Sequence, residues 1–263
     1  MPQPPNTIAL APGTRVLVTA GASGIGRAIG DLLLAHGARA HVCDVSDEFL
    51  ADFAKAWPDA GRSKTDVSSE AEVARMFEDV RASLGGLDVL VNNAGIAGPT
   101  GGVEEISPAD WRRTIDVCLT GQFLCAHFAV PMLKAAGGGS IVNLSSAAGR
   151  FGYAYRTPYS AAKWGVIGFS QSLAKELGPA NIRVNAILPG IVEGPRMTRV
   201  IEARAEQVGV SYAQMEKTYL DRVSLRRMVT AEDVAATVLF LVSEAGRNLS
   251  GQSIGVDGNV ESL

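Results

Sequence analysis

The 263 residues, 47% hydrophobic with a net charge of −3, are enough for one α/β domain with a large core. The slightly acidic balance carries no general electrostatic footprint for nucleic acid, and no apolar run approaches the roughly 18 residues of a membrane span. Three cysteines make no disulfide framework and three histidines show no metal-ligand spacing. No metal is therefore assigned, and the cysteines read as small buried hydrophobes of a reducing, cytoplasmic compartment.

The chain opens on Met1-Pro2-Gln3-Pro4-Pro5-Asn6, without a charged leader or an apolar signal core, and residues 1–13 are expected to be a disordered tail. Arg15-Val16-Leu17-Val18-Thr19 is a short strand, followed by the turn Ala20-Gly21-Ala22-Ser23-Gly24-Ile25-Gly26 and a helix over 27–36. A strand, a glycine-rich turn and a helix together set backbone N–H groups and a helix N-terminus against a pyrophosphate. A second apolar strand over 40–43 ends in Asp44, roughly 20 residues past the glycines, where a carboxylate accepts hydrogen bonds from ribose hydroxyls. The other reading of Asp44 is a cap for a helix over 46–57.

A third strand region over 59–65 leads to Asp66-Val67 and then a helix over 68–84 with Val73, Met76, Phe77 and Val80 on its apolar face. A strand over 87–91 precedes Asn92-Asn93-Ala94-Gly95, and Pro108–Ala135 carries helical periodicity. After a glycine turn, a strand over 140–144 runs into Ser146, and a helix over 157–177 carries Tyr159 and Lys163. A sixth strand over 181–188 ends at Pro189-Gly190. The segment 191–225 has helix-forming, charged composition, and a helix over 229–242 and a last strand over 252–256 close the chain. Regular β-α alternation implies a Rossmann-type doubly wound parallel sheet in a single domain over 14–263, with a ligand crevice beyond the carboxyl ends of the strands. The glycine turn, Asn92–Gly95, Ser146 and Pro189 all follow strands and converge there.

Tyr159 and Lys163 lie one helical turn apart, on one face. A phenol with its ordinary pKa of about 10 is a poor acid or base near neutrality, and a neighbouring ammonium favours the phenolate. A serine hydroxyl alongside can bond a substrate oxygen, so the three groups make a proton-transfer device for interconverting an alcohol and a ketone.

With these motifs in this order, the chain resembles the short-chain dehydrogenase/reductase family from about Thr14 onward. Thr19–Gly26 resembles the family's Thr-Gly-x-x-x-Gly-x-Gly turn, Asn92–Gly95 its Asn-Asn-Ala-Gly motif, and Pro189-Gly190 the turn after its sixth strand. Ser146, Tyr159 and Lys163 match its catalytic serine, tyrosine and lysine. The resemblance implies a dinucleotide held by Gly21, Ser23, Gly24, Ile25 and Gly26, by Asp44, by Asp66 and Val67 at the adenine, and by Asn93, Ala94, Gly95, Pro189, Gly190 and Val192 near the nicotinamide. It implies that Tyr159 and Lys163 touch the cofactor as well, and that 191–225 covers a small-molecule substrate. Asp44 repels a 2′-phosphate and Ser23 offers no cation to hold one, so NAD is expected over NADP.

Three positions depart from the family pattern: Ala20 stands at the opening glycine, Cys118 at an asparagine that serves a water relay, and Gly194 near a threonine that contacts the cofactor. Cysteine is a poor hydrogen-bonding replacement for asparagine. Arg150, Arg156 and Arg196 are candidates for an anionic substrate group, and Tyr153 and Tyr155 either line the pocket or pack its loop. The expected function is NAD(H)-dependent interconversion of a secondary alcohol and a ketone, on a small polar or acidic hydroxy compound. A 3-oxoacyl-thioester reductase is the alternative within the enzyme class, and a silent NAD(H)-binding sensor or scaffold the alternative outside it. Apolar residues around much of 108–135 and 157–177, among them Phe123 and Trp164, point to a homo-oligomer, which the resemblance makes a tetramer or dimer.

Overall fold

The computed structural model describes residues 8–261, and residues 1–7 and 262–263 lie outside the described residues. Strands β1 (Arg15–Thr19), β2 (Arg39–Asp44), β3 (Gly61–Lys64), β4 (Val89–Asn92), β5 (Gly139–Leu144), β6 (Ile182–Pro189) and β7 (Ser253–Val256) form one sheet in the order β3-β2-β1-β4-β5-β6-β7. Every neighbouring pair is parallel. The helices are α1 (Gly24–Ala35), α2 (Asp47–Ala56), α3 (Glu70–Leu84), α4 (Pro108–Ile115), α5 (Gly121–Ala135), α6 (Thr157–Leu177), α7 (Pro195–Val208), α8 (Tyr212–Leu220) and α9 (Ala231–Val242).

Successive strand residues point to opposite faces, so a strand covered on both sides must be apolar throughout. In β1, Val16 and Val18 join a core with Ile29 and Leu33 of α1, Phe53 of α2 and Val238 of α9. Leu17 between them points into the other core, against Met76 and Phe77 of α3 and Cys125 and Ala129 of α5. The strand order reverses at β1, with β2 on one side and β4 on the other, and this opens a crevice at their carboxyl ends.

Several expectations are corrected. The inner end of the 1–13 tail is not loose: Leu10 is buried in the α1–α2–α9 core, although residues 1–7 lie outside the described residues. The 108–135 helix is interrupted by a π turn over Asp116–Thr120. By length and composition this segment could cross a membrane, but half of its apolar stretch is buried, and α5 packs on α3, β4 and β5. In agreement with its helix-forming composition, the segment 191–225 folds as α7 and α8, which close a small core of Ile191, Ile201, Met215, Tyr219 and Val260.

Candidate active site

The crevice floor is built by tying β4 to β1. The Thr19 hydroxyl accepts from the backbone N–H of Asn93 and of Ala94, both at 3.0 Å. The Asn93 amide donates to the Thr19 and Ala20 carbonyls at 3.0 and 3.1 Å. A Cβ on Gly26 would lie 2.1 Å from the Ala20 carbonyl oxygen, so the turn closes only with glycine at that position. Ala20 itself has φ +47°, a left-handed conformation that costs an L-residue roughly 1–2 kcal/mol. Asn93 and the close approach of Gly26 hold that conformation in place. Ala20 therefore stands at the family's glycine position in a left-handed conformation.

Helix α1 starts differently from its neighbours. Ser46, Ser69, Ser107 and Thr230 cap α2, α3, α4 and α9 through their side chains. Ser23 makes no such bond, and the first turn of α1 contains no acidic residue. Its hydroxyl instead donates to the Asp44 carboxylate at 3.5 Å. Asp44 is 6% exposed and also accepts from the Ser46 N–H at 3.1 Å; the cap of α2 is Ser46 rather than Asp44, which steadies that cap and faces the glycine turn. Arg27, the nearest cation to the turn in sequence, is turned along its helix to Asp31 at 2.7 Å. Arg39 lies at the opposite end of β2, where it donates to the Ser83 carbonyl. Asp66 accepts from Ser68 and from Arg113, at 2.7 and 2.8 Å. Burial pushes its carboxyl up, but those bonds hold it below the usual range. Val67 is buried, and a Cβ on Gly121 would lie 2.7 Å from its side chain.

Ser146, Tyr159 and Lys163, the residues expected to transfer the proton, lie beside one another. Ser146 ends the extended segment after β5, and its Oγ accepts from the Ala148 N–H at 3.1 Å. Ser160 on α6 donates to the Ala148 carbonyl, which fixes that turn against the tyrosine helix. Lys163 is 3% exposed and its Nζ donates to the Leu144 carbonyl at 2.8 Å, 5.7 Å from the centre of the Tyr159 ring. Burial pushes the Tyr159 phenol up. Lys163, then Arg196, then a hydrogen bond with Ser146 act against it, and together they hold the pKa below its ordinary value of 10. This is the electrostatic condition that a phenolate base requires.

Cys118, at the position of the family's asparagine, sits in the π turn and is buried. Its sulfur lies 3.4 Å from both the N–H and the carbonyl of Ile96, accepting from one and donating to the other. A Cβ on Gly95 would lie 3.5 Å from Lys163 Nζ and 3.7 Å from this sulfur, so Gly95, Lys163 and Cys118 meet at one point. Gly194 has φ +139°, a conformation unsuited to threonine, and starts α7 with no side-chain cap. Val192 is bridged to Val229, and the Gly190 N–H donates to Val256, which ties this segment to β7.

Of the three candidate arginines, two reach Tyr159. The Arg156 and Arg196 guanidinium carbons lie 5.2 and 5.9 Å from its ring centre. Arg150 is exposed and lies over Phe151. Tyr153 packs the loop, with its hydroxyl 2.9 Å from that of Tyr219, and the Tyr155 ring is covered by Arg204. Sequence reasoning missed Gln122, whose buried amide donates to the Leu144 carbonyl that also holds Lys163. It also missed Ser145, which donates to the Lys163 carbonyl. Polar residues inside apolar runs leave no periodic signal.

Comparison with known proteins agrees with this geometry. Residues 19–260 match the short-chain dehydrogenase family model described as enoyl-(acyl carrier protein) reductase. The chain is 39% identical to cis-4-hydroxycyclohexanecarboxylate dehydrogenase of Sinomonas cyclohexanicum, over 92% of this chain and 94% of that protein. It is 37% identical to 3-oxoacyl-[acyl-carrier-protein] reductase of Thermotoga maritima, over 94% and 98%. Among solved structures, a NAD+-bound xylitol dehydrogenase superposes with a TM-score of 0.90 at 27% identity, covering 94% of this chain and 98% of that one. An actinorhodin polyketide ketoreductase solved with NADPH gives 0.90 at 33%, covering 94% and 96%. The chain belongs to the short-chain dehydrogenase/reductase family and is an oxidoreductase acting on CH–OH groups.

Proposed function

We propose that the protein interconverts a secondary alcohol and a ketone on a small acidic hydroxy compound, with NAD(H) as its coenzyme. The observation that carries this reading is the Tyr159 phenol, held below its ordinary pKa by Lys163, Arg196 and Ser146, with Lys163 Nζ 5.7 Å from its ring centre. The uncapped start of α1 over Gly21, Ser23, Gly24, Ile25 and Gly26 fits a pyrophosphate, and Asp44 beside Ser23 fits a ribose diol. Asp66 and Val67 would flank the adenine, and Asn93, Ala94, Gly95, Pro189, Gly190 and Val192 would border the nicotinamide half with Lys163. A bound nicotinamide dinucleotide supplies the hydride acceptor for oxidation and the donor for reduction.

In the oxidising direction Tyr159 takes the hydroxyl proton as its carbinol carbon loses hydride. Lys163 stabilises the phenolate charge before the transfer, and Ser146 orients the substrate oxygen. In the reducing direction the same phenol returns the proton. The 37%-identical acyl-carrier-protein reductase keeps a second reading in view, reduction of a 3-oxoacyl thioester. A screen of hydroxy acids, polyols and 3-oxoacyl thioesters with NAD(H) and NADP(H) separates the two. Turnover of a hydroxy acid with NAD supports the proposal, and turnover confined to thioesters with NADPH refutes it.

A further inference from the structure

Arg156 is a buried cation without a counter-ion. It is 4% exposed, sits at the N-terminus of the tyrosine helix, and is wedged between the Tyr153 and Tyr159 rings, 5.2 Å from the centre of each. One guanidinium nitrogen donates to the Ala97 carbonyl at 2.6 Å, and the buried Nε has no partner. Arg196 approaches the same tyrosine from α7, and donates to the Gly95 carbonyl at 3.2 Å. Among the described residues eight other ion pairs form, and neither arginine takes part in one.

Removing a charge from water without pairing it is among the most unfavourable arrangements a fold can keep. Arg156 is such a cation, buried with an unused donor, and the exposed Arg196 adds a second positive charge against the same ring; together they form a site whose missing component is an anion. The guanidinium fork matches a carboxylate in two-point geometry. We propose that Arg156 and Arg196 clamp a substrate carboxylate over the Tyr159 ring, so that the substrate is a secondary hydroxy acid, or its keto acid. Both cations lie over the ring, whereas proton transfer occurs at its hydroxyl. The carboxylate and the carbinol are therefore separate groups of one molecule, a few bonds apart. Arg156 is the inner, fixed half of the clamp. Arg196 is the outer half, carried on the covering segment and already within reach of the ring.

The inference rests on the alcohol–ketone reading above, and two readouts keep them separable. The first is calorimetric binding of cyclohexanecarboxylate and of 3-hydroxybutyrate, each against its uncharged amide, to the NAD-loaded enzyme. The clamp predicts that at least one acid binds at least 30-fold more tightly than its amide. It also predicts that Arg156→Gln abolishes most of that ratio, while Arg156→Lys keeps part of it. The second is turnover of 4-hydroxycyclohexanecarboxylate and 3-hydroxybutyrate against their amides, where the acid-to-amide ratio of kcat/KM falls at least 10-fold in Arg156→Gln. Equal binding of acids and amides to the wild-type enzyme overturns the clamp even if secondary alcohols are oxidised. Arg156-dependent binding of an acid without turnover of any alcohol keeps the clamp and removes the alcohol–ketone reading. If Arg156→Gln does not fold, the wild-type acid-to-amide ratio and the Arg156→Lys variant decide the matter.

Discussion

At the residue scale the strongest selectivity argument concerns Asp44. Its carboxylate faces the glycine turn through Ser23, and the nearby cations Arg27 and Lys64 are engaged elsewhere, with Asp31 and Asp47. The account predicts NAD over NADP by at least about tenfold in kcat/KM, roughly 1.4 kcal/mol of differential transition-state stabilisation. Asp44→Ala narrows that gap chiefly by weakening NAD, and steady-state kinetics with both coenzymes measure it. A wild-type preference for NADP contradicts the reading of Asp44. Ser146, Tyr159, Lys163 and Asp44 were legible in the sequence because each follows a strand or shares a helical face. The meeting of Arg196 with Tyr159 was not legible: it depends on how α7 folds back over the crevice, which no local pattern encodes. The thiol of Cys118 reads as a loss on chemical grounds, and only the surrounding backbone reveals that it reaches both polar groups of Ile96.

At the element scale the strands were read well because both faces of the sheet are covered, so apolar runs mark them directly. The π turn at Asp116–Thr120 was invisible because one extra residue in a helix hardly disturbs an apolar pattern. Buried polar side chains between elements were also hidden. His41 on β2 bonds Ser63 of β3 at 2.8 Å and Ser83 of α3 at 2.9 Å, and Ser63 in turn donates to Asp79 at 2.6 Å. Burial pushes the imidazole down to about 4, against the opposing pull of Asp79, so His41 is neutral in the folded protein at pH 7. The unfolded chain takes up a proton near pH 6.5, before the folded one does. Stability is therefore intact above pH 6.5 and falls as the pH drops towards 4, by an upper figure of about 3 kcal/mol from this residue. Urea unfolding at pH 7, 5.5 and 4.5 reads this slope directly. His41→Gln flattens it, and an equal slope in that variant assigns the pH dependence to other groups.

At the scale of the whole molecule, one parallel sheet with its switch point at β1 brings residues from Ser23 to Arg196 to one crevice, a convergence that the β-α alternation announced. Other features of the surface concern assembly. Phe123 on α5 and Trp164 on α6 are 50% and 53% exposed, apolar side chains on helices that both lie against the sheet. We propose that these helices are covered by a second copy of the chain, as part of a tetramer or dimer. Light scattering after gel filtration at micromolar concentration then gives a multiple of the 27.5 kDa chain, and a monomer contradicts it. The central claim is that Tyr159 moves the proton, and the pH dependence of kcat/KM for alcohol oxidation by the wild-type and Tyr159→Phe proteins tests it most directly. The predicted result is a wild-type rate that rises with pH through a midpoint below 10 and levels off above it, and a folded Tyr159→Phe protein slower by at least about 1,000-fold. A Tyr159→Phe protein that keeps most of its rate and the same pH profile would contradict the account.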